Sequence, residues 1–116
     1  MATTYLFLKP ARLPLLAAEM TADSVLPLEA GEVGRCLREA FPALQWQGPA
    51  DAAGECDQGW LEFHLQPAAE GGALSMRCSL RADYHGTVQA LCDRFGWVAF
   101  DEAALCFQPQ RAPMSV

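Results

Sequence analysis

"WLEFHLQPAAEGGALSMRCSLR", residues 60–81, decides the fold. Both of its halves alternate apolar and polar side chains, the period that sends successive residues to opposite faces of a strand. In the first half Leu61, Phe63 and Leu65 point one way, and Trp60, Glu62, His64 and Gln66 the other. In the second, Leu74, Met76, Cys78 and Leu80 form the apolar row; Ser75, Arg77, Ser79 and Arg81 form the polar one. The intervening "PAAEGG" has turn composition, so the two runs read as an antiparallel hairpin. Matching the apolar rows leaves two registers, with Glu62 or His64 opposite Arg77.

Helical periodicity flanks this hairpin. In "EAGEVGRCLREAFP", residues 29–42, Val33, Cys36, Leu37, Ala40 and Phe41 fall on one stripe. Glu29 and Glu32 lie where the helix dipole favours acids, and Pro42 stops the helix. Gly34 within it costs about 1 kcal/mol relative to alanine. A second helix is expected over about residues 84–95, with Tyr84, Val88, Leu91, Cys92 and Phe95 as its buried stripe. Asp83 is its expected N-cap, and Gly96 supplies the left-handed residue that commonly ends a helix.

The rest fits around these elements. "TTYLFLK", residues 3–9, reads as a strand ended by Pro10. Residues 10–30 carry Pro10, Pro14 and Pro27 and read as a long connection with one helical turn at "PLLAAEM". "ALQWQ", residues 43–47, suggests a short strand, while "GPADAAGECDQG" reads as a loop. "WVAFD" and "ALCFQ" are strand-like on either side of a DEAA corner, and residues 109–116 read as a loose tail. The order β-α-β-β-α-β, with an extra edge strand near residue 43 or 104, predicts one α+β domain over residues 1–116. Its simplest closure is a ferredoxin-like sandwich, an antiparallel sheet with both helices on one face. The hairpin's polar row then lies on the other face.

Composition narrows the function classes. The chain has 116 residues, 52% hydrophobic and 19% charged, a globular balance that needs no metal or disulfide staple. No apolar run approaches the ~20 residues that span a bilayer. The start "MATTYLFLKP" has no positive region ahead of its apolar residues, so it reads as a strand rather than a signal peptide. Five cysteines, at 36, 56, 78, 92 and 106, are an odd set without CxxC or zinc-type spacing. Four fall in apolar patterns and read as small buried hydrophobes, reduced thiols of a cytoplasmic protein.

The net charge of −6 is concentrated in residues 19–57, which hold eight acids against Arg35 and Arg38. An acidic face repels phosphate backbones and attracts a basic protein, so the expected partner is a protein and not nucleic acid.

Catalytic and metal chemistry find little support. His64 shares a strand face with Glu62, close to Ser75, Arg77 and Ser79, and a hydrolase could be drawn there. A solvated polar face crossed by an ion pair is the plainer reading, since an open sheet lacks a cleft and oxyanion donors. His85 has no second histidine at helical spacing and reads as a surface residue. Asp101 and Glu102 are adjacent, diverge in an extended chain and suffice as a turn. Asp51, Glu55 and Asp57 lack calcium-loop spacing and read as a solvated acidic loop or a recognition surface. No GxGxxG or P-loop is present, nor the paired strand aromatics that stack RNA bases. No cofactor, metal or catalytic residue is therefore expected. Trp97 reads as core, and Trp60, on the polar face, as a candidate contact.

The series "LREAFPALQW", "GWLEFHL" and "LCDRFGWVAFD", spanning roughly residues 33–101, resembles small bacterial immunity proteins encoded beside toxins of type VI secretion and related polymorphic-toxin systems. That resemblance implies a non-catalytic cytoplasmic protein that occludes a toxin's active site; it transfers no binding residue, because such families diverge on the toxin-facing surface. The surface expected to bind is therefore drawn from the acidic segment and its neighbour: Glu29, Glu32, Asp51, Glu55, Asp57 and Trp60. The alternative is an adaptor or chaperone that loads a secreted effector, using exposed apolar surface around Trp60 and residues 10–30. An enzyme built on His64 and Glu62 ranks third.

Overall fold

The computed structural model describes residues 2–10, 25–48, 50–56, 59–67, 72–79, 84–102, 105–109 and 114–115. The helical turn expected at residues 14–20, Arg81 and Asp57 lie outside them; the N-cap position of the second helix is Tyr84, not the expected Asp83. The hairpin of residues 60–81 is present as β5 (Gly59–Leu65) and β6 (Leu74–Ser79). Of the two registers, the pairing is Glu62 opposite Arg77, with His64 opposite Ser75.

Antiparallel neighbours extend the hairpin in both directions. β1 (Ala2–Pro10) lies against β6, and β7 (Val98–Phe100) against β1, so the central order is β5-β6-β1-β7. Helix α1 (Ala30–Ala40) precedes β5 and helix α2 (His85–Phe95) joins β6 to β7, which is the connectivity of a ferredoxin-like sandwich. Both extra strands suggested by the sequence exist: β3 (Gln45–Trp46) at one end of the sheet and β8 (Leu105–Phe107) beyond β7 on the other side. β2 (Val25–Leu26) pairs with the end of β1, inside the stretch read as a connection. β9 (Met114–Ser115) pairs with β8, inside the stretch read as a tail.

One reading fails. Residues 51–56, read as loop, are strand β4 (Asp51–Cys56), paired along its length with β5. Aspartate, alanine, glycine and glutamate are weak strand formers, and here the partner strand overrides that preference. The alternation is nonetheless there: Ala52 is buried on the inner face, while Asp51 and Glu55 are exposed on the outer one. Gly54 faces inward where the chain crosses closely, since a Cβ there would lie 3.2 Å from both Ala43 O and Leu44 Cα.

The core lies between the sheet's inner face and the helices. Cross-strand rows Phe63–Met76–Tyr5 and Leu65–Leu74–Phe7 meet Val33, Cys36 and Leu37 of α1 and Val88, Leu91 and Cys92 of α2 in one buried cluster. Trp97 is buried beside Phe7 and Phe95, with ring centroids 5.8 and 5.1 Å away. α2 ends at Gly96 in the left-handed conformation (φ 74°), whose N–H donates to Cys92 O.

The Asp101–Glu102 corner is structural. Leu105 N–H donates to the Asp101 carboxylate at 2.8 Å, closing the β7–β8 turn. Glu102 accepts the N–H of Thr4 at 3.1 Å, beyond the point where β7 stops pairing with β1.

Candidate functional site

The outer face of β4, β5 and β6 carries the exposed polar residues in ordered rows. Pairing places Asp51, His64 and Ser75 in one row across the three strands; Ala53, Glu62 and Arg77 in the next; and Glu55 beside Trp60 in a third. Three acids thus share the surface with one arginine and one histidine. A shallow groove of about 310 Å³ runs over it, lined by Gln47, Asp51, Trp60, His64, Ser75 and Arg77 among others.

Hydrogen bonds fix several of these groups. His64 Nδ1 and Asp51 Oδ1 are 2.7 Å apart. Trp60 donates its indole N–H to Glu62 Oε1 at 2.9 Å. Ser75 donates its hydroxyl to the backbone oxygen of His64, not to the imidazole. Trp60 is 44% exposed, which is unusual for so large an aromatic side chain.

The sequence-derived candidates divide accordingly. Asp51, Glu55 and Trp60 come together on this face. Glu29 and Glu32 do not: they open α1 in the helix layer, where Glu32 pairs with Lys9 Nζ at 3.0 Å. Asp57 lies outside the described residues. Two members of the surface were missing from that set: Glu62, which orients Trp60, and His64, which binds Asp51. Glu62 was legible from its alternation with Trp60. The Asp51–His64 contact was not, because it requires residues 51–56 to be a strand.

The arrangement orients an imidazole, and among the described residues no nucleophile hydrogen-bonds to its ring. The side chains of His64 and Asp51 are 58% and 52% exposed, so their attraction is screened by water. Glu62, on the same strand face as His64, is engaged with Trp60 instead. Among the described residues, no group of three or more His, Cys, Asp or Glu side chains is placed to hold a metal ion. Nor is any helix among them long and apolar enough to cross a membrane. Cys36, Cys78, Cys92 and Cys106 are buried free thiols. Burial pushes the Cys92 thiol up to about 12, assisted by the neighbouring Asp93, and raises Cys36 and Cys106 as well. Such thiols are poor nucleophiles.

The helix layer has its own depression, about 280 Å³, between α1 and α2; Ala40, Phe41, Gly86, Ala90, Leu91 and Arg94 contribute to it. An Arg94–Glu39 ion pair joins the two helices. Compared with protein-family models, with curated proteins and with solved structures, the chain matches none.

Proposed function

We propose that the protein is a non-catalytic binding protein that docks onto a basic protein partner through the outer face of β4, β5 and β6. We further propose that this partner is a secreted toxin whose active site is occluded, the role of an immunity protein in the cytoplasm of the producing cell. One observation carries the reading: the exposed Trp60, with Glu55 opposite it and Glu62 hydrogen-bonded to it, shares a single open face with Asp51 two rows away. A desolvated aromatic within a charged rim is the usual composition of a binding hot spot. Complementary charge would speed encounter with a basic surface and select against acidic ones.

The test begins with a partner captured from the source organism and expressed alone. Association with wild type should weaken about tenfold or more between low and physiological salt. The triple variant Asp51→Asn, Glu55→Gln, Glu62→Gln should bind more weakly and lose most of that salt dependence. Binding indifferent to both would sink acidic docking. The adaptor reading draws on the exposed apolar side chains Leu6, Leu26 and Trp60. Co-expression separates the roles, because an immunity protein abolishes toxicity in the cytosol and an adaptor raises export without doing so.

A further inference from the structure

Trp60 is held in a particular setting. Its indole N–H is tied to Glu62, which restrains the ring, and Glu55 stands directly opposite on β4. Directly opposed residues have Cβ atoms about 5 Å apart, a separation that a glutamate side chain can span. Ion pairs between described residues join Lys9 to Glu32, His64 to Asp51, His85 to Asp101 and Arg94 to Glu39; none neutralises Glu55 or Glu62. Arg77, the register partner of Glu62, makes no such pair with a described residue either. Among the described residues, the face thus presents an exposed, oriented π surface between two carboxylates that no cation pairs.

We propose that this surface seats one arginine side chain of a protein partner, its guanidinium stacked on Trp60 and donating hydrogen bonds to Glu55. The proposal rests on the docking reading above and names the chemistry of its anchor. Arginine fits better than lysine because the guanidinium is planar, weakly hydrated and able to stack while its edge N–H groups bind a carboxylate. The same chain already uses this contact internally: the Arg38 guanidinium lies over the Trp46 ring, 4.5 Å from its centroid. Among the described residues, none places an equivalent cation over Trp60.

The probe is a synthetic Gly-Arg-Gly-Arg-Gly peptide titrated into the full chain labelled with ¹⁵N, with lysine and citrulline versions as comparisons. Citrulline keeps the shape of arginine and removes its charge. The indole N–H resonance of Trp60 should shift, while those of Trp46 and Trp97, whose Nε1 atoms are buried, stay in place. Affinity should fall in the order arginine, lysine, citrulline, and roughly fivefold in Glu55→Gln. In Trp60→Leu, followed through the amides of β4 and β5, the preference for arginine over lysine should vanish. Asp93→Asn, which removes an exposed acid from α2, should leave affinity unchanged. An unmoved Trp60 resonance, equal binding of the citrulline peptide, or equal weakening by Glu55→Gln and Asp93→Asn would overturn the proposal. Trp60 binding of the arginine peptide would support the site even if no basic protein proved to dock on this face. A basic partner that docked there without moving Trp60 would leave the docking reading standing and remove the anchor.

Discussion

Cys92 sits on the buried stripe of α2, completely shielded, with its thiol near the carbonyl oxygen of Phe107. Burial penalises the thiolate and raises the thiol from its ordinary value of 9.0 to about 12. Below the ordinary value both folded and unfolded chains hold the proton, and the group contributes fully to stability. As pH rises through the interval from 9.0 to about 12, the unfolded chain releases the proton while the folded chain keeps it. The unfolded state then binds fewer protons, so stability falls with rising pH. Urea unfolding of wild type should show this decline from about pH 9 upward, and Cys92→Ala should show a shallower one. A variant with the wild-type slope would show that Cys92 is not its source. The substitution leaves the proposed docking face untouched, because Cys92 belongs to the opposite layer.

At the scale of elements, β4 is held in place by its neighbours rather than by its own composition. Gly54 permits the chain at residues 43–44 to approach from the inner side, and the two atoms that a Cβ there would meet first both belong to the backbone. Gly54→Val should therefore cost about 1–3 kcal/mol by overpacking, measured by denaturant unfolding. Ala53→Val, one residue away on the outer face, should stay within about 0.5 kcal/mol of wild type, since valine suits a strand and finds room there. Equal costs would mean that the close approach is not what selects glycine. The contrast also explains what was legible in the sequence. β5 and β6 announce themselves because large apolar residues recur at every second position; aligning those rows narrows the register to two, of which the structure has Glu62 opposite Arg77. β4 uses the same period with alanine and glycine inside, too small to register as an apolar face. Trp60 could be placed on the polar side from β5 alone. The Asp51–His64 contact could not, since it exists only once β4 pairs with β5.

The whole molecule is organised outward from β1, the strand that holds β6 on one side and β7 on the other. Tyr5 and Phe7 on its inner side are buried, and among the described residues short strands β3 and β9 form the ends of the sheet. Stability should grade from centre to ends, because edge strands open locally while central ones exchange only on global unfolding. Hydrogen exchange should find the slowest amides in β1 and β6 and faster ones in β3 and β9. The proposed docking face lies off-centre in this gradient, on β4 and β5 with β6 as its inner border. A bound basic partner should consequently slow exchange most in β4 and β5, where local opening leaves the largest room for added protection. It should leave β7 and β8 nearly unchanged, because they lie beyond β1. Glu55→Gln should reduce protection in β4 and β5 without altering the centre-to-edge gradient of the free protein. Protection appearing instead along α1 and α2 would move the interface to the depression between the helices, whose Arg94 and apolar floor suit a different partner chemistry. The location of the protected amides thus tests the assignment of the face separately from the question of affinity.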